Sequence, residues 1–431
     1  MHTACCAEDG PTRRPQILKD EDVGFDRPWQ MSFQRTPYKD SIRRARSRRG
    51  ATNRNLLVSL VEQVRKETLP WVEELVQPFV LGPPEPLQDT VPPQQLGDPD
   101  SRWIEVDGVN LHYKDTGPQN PDAPAVLLLH GFNGSVYSWR SVMEPLSKAC
   151  ASRGGCRVIA FDRPPFGLTE RPLSWEGGDA QSPYSTQGGA RLAAGLLEKL
   201  CVDQAVVVGH SAGGGTALEL YRRAPEKVAG LVLVAPAVPT NNPENSWSRR
   251  GGLGRQLRLA AMRAILQMDG PGLHYIRRSY RKQAASVAQG NLNMLTRQSP
   301  DAVQDVIDGY LKPMRSHDWD KGALLSMRTM NFPSSFPYDS ITAPVHIIIG
   351  EDDTFLLKTA KEVNALLEQR QQGSTQLTLY PVCGHVPMDE CAEQFQSDVV
   401  SFVEGVFAKR VRQSEQHAVL EPPEVGVVPQ I

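Results

Sequence analysis

"VVVGHSAGGG", residues 206–215, runs from β-branched apolar residues straight into a glycine-rich turn with one hydroxyl at its centre, Ser211. The residues before the turn are typical of a buried strand, and "GGTALELYRRA" after it is typical of a helix. Gly209 and Gly213 leave room for a sharp strand-to-helix turn, which exposes a nucleophilic serine. The free N–H groups of the helix start also favour developing negative charge. The stretch predicts Ser211 as a nucleophile, because a serine in an ordinary loop would not explain the strand and helix on either side.

The chain around this stretch alternates buried apolar runs with helical segments. Two alternating strands meet at Asp107-Gly108, a residue pair typical of a hairpin turn. Five later runs are too apolar to face water on either side: "AVLLLH", "RVIAF", "AVVVG", "LVLVA" and "VHIII". Such strands predict an α/β fold with a mostly parallel sheet covered by helices on both faces. In sheets of this kind, ligands bind beyond the carboxyl ends of the strands.

Composition excludes several classes of protein. A net charge of -2 over 431 residues argues against nucleic acid as the main partner, because phosphate binding needs a basic excess. No apolar run approaches the length of a membrane-spanning helix, and the N-terminus lacks the apolar core of a secretory signal. Seven cysteines without a C-x-x-C pair argue against a zinc site or a disulfide scaffold. We therefore expect an intracellular protein, soluble or peripheral to a membrane.

The chain also divides into segments of different composition. The arginine-rich stretch "RRARSRR" (43–49) fits an organellar or plastid transit peptide, but nearby acidic residues fit a solvated arm, so both interpretations stay open. The predicted segments are a polar, basic arm (1–55), short amphipathic helices (56–80), a proline-rich linker (81–101), a core domain (102–237 and 344–409), a helical insertion (238–343) and a C-terminal tail (410–431).

A serine nucleophile needs a base, and the base needs an acid that orients it. His385 stands out among nine histidines, because it follows the last predicted strand in "LTLYPVCGHVPMD". Asp352 and Asp353 both follow the preceding strand in "VHIIIGEDDTF", and periodicity does not separate them. The resulting order, serine then aspartate then histidine, is that of the α/β-hydrolase fold.

With these motifs in place, residues 102–409 resemble the α/β-hydrolase superfamily in its esterase/lipase-like branch, and the run of motifs is similar to plant-type members. The motifs that carry the resemblance are "HGFNGS" (130–135), "DRPPFGLT" (162–169), "GHSAGG" (209–214), "GEDD" (350–353) and "GHVP" (384–387), in family order. The first hundred residues fall outside it.

The resemblance implies a role for each matching position. Ser211 matches the nucleophile and His385 the base, and the family's G-x-x-D spacing selects Asp353 over Asp352. The backbone N–H groups of Phe132 and Ala212 match the two donors of the oxyanion hole. Thr354 stands where many relatives have proline, which puts the presentation of Asp353 in question. Haloalkane dehalogenases and epoxide hydrolases of this superfamily use aspartate as nucleophile, so serine favours acyl chemistry, with no metal or organic cofactor.

The insertion at 238–343 is longer than a strand crossover needs, and the resemblance implies a helical cap after the sixth strand. A cap supplies walls for the substrate and excludes water. Its first half is basic, which fits either a solvated helix face or contact with anionic esters or an anionic membrane surface. The basic residues are Arg249, Arg250, Arg255, Arg258, Arg263, Arg277, Arg278, Arg281 and Lys282.

These observations predict a serine hydrolase that acts on a carboxylic ester or thioester with an apolar acyl part, and the sequence does not choose between lipid-like and tetrapyrrole esters. An acyltransferase on the same residues is one alternative, in which an alcohol replaces water. A ligand-binding protein of the same fold with little turnover is another, because fold does not settle function.

Overall fold

A computed structural model describes residues 87–120, 123–149, 154–178, 181–242, 253–288, 300–329, 333 and 335–420. The predicted arm (1–55), the amphipathic helices (56–80), the start of the linker (81–86) and the end of the tail (421–431) lie outside the described residues. No helix within the described part of the chain is long and apolar enough to cross a bilayer.

One eight-stranded sheet forms the centre of the molecule, as the sequence predicts. Its strands are β1 (Arg102–Val106), β2 (Val109–Thr116), β3 (Ala125–Leu129), β4 (Arg157–Phe161), β5 (Ala205–His210), β6 (Val228–Val234), β7 (Val345–Gly350) and β8 (Thr375–Tyr380). Their order across the sheet is β1-β2-β4-β3-β5-β6-β7-β8. The β1–β2 and β2–β4 pairs are antiparallel, and all pairs from β4 to β8 are parallel. The hairpin prediction is confirmed, since Asp107 and Gly108 both have positive φ between β1 and β2.

The order of the strands places the C-terminal ends of β3 and β5 side by side. β4, the next strand along the chain, lies on one side of β3, and β5 lies on the opposite side of β3. The direction of the chain across the sheet therefore reverses, and a topological switch point lies between β3 and β5. Crevices at switch points are where ligands bind in open α/β sheets. The loop after β3 and the turn at Ser211 both lie there.

Helices cover both faces of the sheet. Every residue of β3 and β5 is buried, and alternate side chains of β3 enter two different apolar clusters, Leu127 and Leu129 on one face and Val126 and Leu128 on the other. The helices are α1 (Met143–Ala149), α2 (Thr186–Lys199), α3 (Ala212–Arg223), α4 (Leu253–Leu266), α5 (Asp269–Ala288), α6 (Pro300–Leu311), α7 (Trp319–Thr329), α8 (Leu357–Glu368), α9 (Pro387–Glu390) and α10 (Ala392–Leu420). Continuous apolar strands are stable only when both faces are covered in this way.

The predicted insertion after β6 is helical and has its own apolar centre. Helices α4 to α7 lie between β6 and β7, and Leu266, Ile276 and Trp319 are buried in a cluster separate from the two that flank the sheet. The two ends of the insertion meet, because Asn241 and Phe336 exchange two hydrogen bonds of 2.8 Å through the Asn241 side-chain amide.

Two predicted boundaries need correction. Residues 87–101 were expected to be part of a linker, but they contain a 3-10 helix (Pro93–Leu96), and Val91 forms a parallel bridge with Ser316 of the insertion. Backbone pairing with a neighbouring segment needs no local sequence period, so the sequence carries no signal for it. The predicted tail from 410 begins inside α10, which continues to Leu420 because the first helix-breaking residue is Pro422.

One of the described cysteines forms a disulfide bond. Cys201, Cys383 and Cys391 are free, whereas Cys156 is disulfide-bonded. Disulfide pairing depends on how close two backbones lie in the fold, which residue spacing does not reveal.

Candidate active site

Ser211 occupies a strained turn between β5 and α3. Its φ of 51° and ψ of -118° lie outside the regions that L-residues normally adopt. A Cβ atom at Gly209 would lie 2.7 Å from the carbonyl oxygen of Gly213, and one at Gly213 would lie 2.3 Å from that of Leu129. Glycine is therefore required at both positions, and the turn holds the Ser211 hydroxyl beyond the end of the strand.

The structure brings Ser211, His385 and Asp353 together. The Nε2 atom of His385 lies 3.2 Å from Ser211 Oγ, and the Nδ1 atom lies 2.7 Å from Asp353 Oδ2. These residues follow β5, β8 and β7, whose carboxyl ends share one edge of the sheet. With Nδ1–H donating to the carboxylate, Nε2 is free to accept the serine proton.

The structure also separates the two aspartates that periodicity leaves open. Asp353 is buried and contacts His385, whereas Asp352 is exposed. Asp353 Oδ1 accepts from the N–H groups of Phe355 and Leu356, so the carboxylate is held from both oxygens. Burial raises the pKa of Asp353, but the hydrogen bonds from His385 and the two N–H groups outweigh it and lower the pKa below its usual value. Asp353 is therefore ionised at neutral pH. Thr354 follows it, at the position where many relatives have proline.

His210 supports the site in a way that the sequence did not reveal. Its Nε2–H donates to the backbone carbonyl of His385 across 2.9 Å, and the two rings lie 4.9 Å apart. Burial, together with the neighbouring His385, lowers the pKa of His210 to about 3, so the ring is neutral. No local sequence pattern indicates this contact, because it spans 175 positions.

Two backbone N–H groups belong to residues close to Ser211. Ala212 is the first residue of α3, and Phe132 follows Gly131 in the loop after β3. Neither N–H donates a hydrogen bond to a described residue. Both N–H groups are therefore unpaired within the described part of the chain.

Asp162 organises the loops on both sides of this space. Its carboxylate accepts from Val136 N–H and Leu168 N–H, each at 2.6 Å, and lies 2.6 Å from His112 Nδ1. Burial raises the pKa of Asp162, and the contact with His112 more than offsets this rise, so the pKa is lowered. One buried carboxylate thus ties the loop after β3 to the loop after β4.

A cavity of about 200 Å³ opens next to Ser211 and His385. The core contributes Phe132 and Phe166 to its wall, and the rings of these two residues are 5.1 Å apart. The helical insertion contributes most of the apolar wall, through Tyr280, Tyr310, Leu311, Pro313, Met314, Trp319 and Ala323. These positions were not predictable individually, because helical periodicity does not say which buried residue faces a cavity.

Among the described residues, the other histidines and the basic residues of the insertion do not line this cavity. His130 and His346 are buried, and His346 contacts Thr378 in the sheet. The described residues contain no group of three or more histidine, cysteine or acidic side chains arranged to hold a metal ion. In the predicted basic face, Arg277 is ion-paired with Asp320 at 2.7 Å, whereas Arg258, Arg263, Arg278 and Arg281 are exposed.

Comparison with known proteins agrees with this architecture. A family model described as the alpha/beta hydrolase fold matches residues 124–390, more than half of the chain. The chain belongs to that family. It is 28% identical to an uncharacterised hydrolase of Bacillus subtilis (strain 168) over 70% of this chain and 97% of that protein.

Two further relatives carry more specific names. A 2-hydroxy-6-oxononadienedioate/2-hydroxy-6-oxononatrienedioate hydrolase of Burkholderia vietnamiensis is 25% identical over 70% of this chain and 95% of its own length. The solved esterase of Exiguobacterium antarcticum is 17% identical over 70% of this chain and 98% of its own, with a TM-score of 0.52. The second likeness concerns the fold alone.

Proposed function

We propose that this protein is a serine hydrolase that cleaves a carboxylic ester or thioester through an acyl-enzyme. Ser211 Oγ attacks the acyl carbon while its proton passes to His385 Nε2, and the negative charge moves onto the carbonyl oxygen. His385 then gives the proton to the departing alcohol or thiol, and water repeats the sequence to release the acid.

The observation that carries the proposal is the hydrogen-bonded chain Ser211–His385–Asp353 beside the unused N–H groups of Phe132 and Ala212. Asp353 holds His385 in the tautomer that accepts at Nε2. In this proposal the two N–H groups donate to the oxyanion, and each such donor contributes roughly 3 kcal/mol to barrier lowering in enzymes of this type. The Ser211–His385 separation of 3.2 Å is within the reach at which a base accepts a proton through a hydrogen bond.

The cavity wall supports an apolar acyl part. Phe132, Phe166, Met314 and Trp319 surround the space next to the serine, and they would bury an alkyl or aryl chain. In this proposal the helical insertion is a cap over the site, because most of the apolar wall belongs to it.

A second substrate candidate, one that carries a carboxylate, is favoured by Arg171. This guanidinium lines the cavity, is only 6% exposed and donates to the carbonyl oxygens of Pro165, Gly167 and Thr169. It has no carboxylate partner within ion-pairing distance among the described residues. Burial lowers the pKa of Arg171 to about 10, so it remains charged at neutral pH. A relative named for a dienedioate makes carboxylated dienoates sensible members of a substrate panel.

Covalent labelling with a fluorophosphonate tests the proposal. We expect one adduct by intact mass, mapped to Ser211, and none in Ser211→Ala. Labelling of the variant as fast as the parent would refute the assignment of the nucleophile.

Product analysis then separates the alternatives. Steady release of acid in water supports hydrolysis, and preferential ester formation with added alcohols would indicate an acyltransferase. A single stoichiometric burst with no turnover on a panel of p-nitrophenyl esters and dienoates would favour a ligand-binding role.

A further inference from the structure

Residues 87–101, which we call the entry strap, lie against one short part of the helical insertion. Val91 N–H donates to the carbonyl of Arg315, and His317 N–H donates back to the carbonyl of Val91, each at 2.9 Å. His317 Nε2 also lies 3.1 Å from the carbonyl oxygen of Thr90. Leu87 packs on the apolar cluster of the insertion. Within the described residues, the hydrogen bonds by which 312–317 reach outside the insertion all end on the entry strap.

Asp98 joins this contact to the sheet. One of its carboxylate oxygens accepts from Lys312 Nζ of the insertion at 2.5 Å, and the other accepts from Lys114 Nζ of β2 at 2.8 Å. Its neighbour Asp100 also contacts Lys114, at 2.7 Å, but does not reach Lys312. Asp98 thus connects the insertion to the core by ion pairs with both lysines. Asp100 is a suitable control, because it pairs with Lys114 of the core and not with Lys312 of the insertion.

The end of the entry strap contacts the loops of the candidate active site through a second chain of hydrogen bonds. Ser101 Oγ accepts from Asp98 N–H and lies 2.7 Å from His112 Nε2. His112 in turn contacts Asp162, the carboxylate that holds the N–H groups of Val136 and Leu168. The strap therefore contacts the insertion directly through Asp98 and is linked to the core loops through Ser101, His112 and Asp162.

The part of the insertion held by the strap supplies the cavity wall. Pro313 and Met314 line the cavity beside Ser211 and lie between Lys312 and Ser316, both of which contact the strap. A shift of this short segment changes the space available to a long acyl chain, but it leaves Ser211, His385 and Asp353 in place, because those residues are held by the sheet.

We propose that Asp98 is a positioning residue that sets acyl-chain selectivity by fixing the wall formed by Pro313 and Met314. The proposal rests on the serine hydrolase function given above. In this proposal the entry strap contributes to substrate selectivity and is more than a linker that precedes the domain.

Kinetics on two esters test the selectivity. The variants Asp98→Ala and Asp98→Asn are compared with Asp100→Ala, using p-nitrophenyl acetate and p-nitrophenyl decanoate as probes. We expect Asp98→Ala to lose about tenfold in kcat/KM on the decanoate, through KM, and to stay within about twofold on the acetate. Asp98→Asn keeps one of the two acceptor oxygens and should fall between the parent and Asp98→Ala, and Asp100→Ala should match the parent. Equal losses on both esters, or equal behaviour of Asp98→Ala and Asp100→Ala, would overturn the proposal.

Hydrogen exchange provides a readout that does not depend on turnover. In Asp98→Ala, the His317 and Val91 amides should exchange faster than in the parent, and in Asp100→Ala they should not. If Ser211 fails to label, the proposed chemistry is wrong, and exchange still tests the strap on its own. Unchanged exchange in Asp98→Ala would refute the link between strap and wall.

Discussion

His210 donates a hydrogen bond from its Nε2–H to the backbone carbonyl of His385, so the residue before the turn serine holds the loop that carries the candidate base. The contact joins β5 to the loop after β8, across the two strands that separate them in the sheet. Because His210 is buried and neutral, it serves as a fixed donor at neutral pH.

Replacing His210 should therefore slow the chemical step without weakening substrate binding. We expect His210→Ala to lower kcat by roughly ten- to a hundredfold with little change in KM, the range seen when an orienting partner is removed. His210→Gln can still donate and should recover part of the loss. A change confined to KM would show that His210 shapes the cavity instead.

The two neighbouring aspartates should differ strongly. Asp353→Asn can no longer hold His385 in the tautomer that accepts at Nε2, and the loss in kcat should be on the order of 10⁴. Asp352→Asn, an exposed position, should stay within about threefold, as surface substitutions usually do. Steady-state rates on one p-nitrophenyl ester measure both. A larger loss at Asp352 would reverse the assignment.

Stability should fall as the pH drops below about 6.5, the pKa of histidine in an unfolded chain. Burial lowers the pKa of His130 to about 4, of His210 to about 3 and of His346 to about 4. The unfolded state then binds more protons than the folded state, so acid favours unfolding. At pH 5 each of these histidines lowers the free energy of unfolding by on the order of 2 kcal/mol. Asp389 has the opposite effect on the pH dependence of stability: burial raises its pKa, so its contribution to the free energy of unfolding increases as the pH falls.

His346→Gln isolates one of these contributions, since His346 lies in the sheet away from the site. Urea unfolding at pH 7 and pH 5 should show a drop in the free energy of unfolding that is smaller by about 2 kcal/mol in the variant than in the parent. The absolute stability of the variant does not enter the comparison. Identical drops in the two proteins would contradict a neutral, buried His346.

Backbone strain at Ser211 should be measurable. A residue other than glycine with these dihedral angles costs about 1–3 kcal/mol. Ser211→Gly should therefore unfold at higher urea concentration than Ser211→Ala, although both lack the hydroxyl and both should be inactive. If Ser211→Ala is the more stable of the two, the turn is not strained.

The exposed arginines of α4 lead to a separate proposal, that this helix contacts an anionic membrane surface. Arg258 and Arg263 are exposed, as is Leu257 at 59%. Reversing both arginines to glutamate should weaken binding to phosphatidylserine vesicles, by about 1 kcal/mol for each removed positive charge, while p-nitrophenyl acetate is hydrolysed as before. Binding of the parent should also weaken with added salt.

A matched control changes the same charge elsewhere. Lys199 and Arg223 are exposed near the C-terminal ends of α2 and α3. Lys199→Glu combined with Arg223→Glu should leave vesicle binding close to that of the parent. If both double variants lose binding equally, the effect is one of net charge and the α4 surface is not a docking site.

The sequence predicted the sheet because each buried strand carries its own signal, a short apolar run such as "AVVVG" that needs no tertiary information. It also predicted the turn at Ser211, where glycine spacing and the strand-to-helix change occur together. The choice between Asp352 and Asp353 could not come from periodicity, since adjacent residues in a turn share the same local pattern.

Contacts between distant segments account for what the sequence did not predict. His210 meets His385 across 175 positions, and Lys312 meets Asp98 across 214. Neither pair has a local pattern, because each depends on how strands and insertion pack. For the same reason the proline-rich composition of 81–101 predicted a linker, although its described part pairs with the insertion.

The paired hydrogen bonds between Asn241 and Phe336 hold the two ends of the insertion next to each other. A segment whose ends meet is exchanged or excised with little effect on the fold that carries it. Replacing the insertion as one unit would therefore exchange most of the apolar cavity wall and leave Phe132 and Phe166 of the core, together with Ser211, His385 and Asp353, where they are.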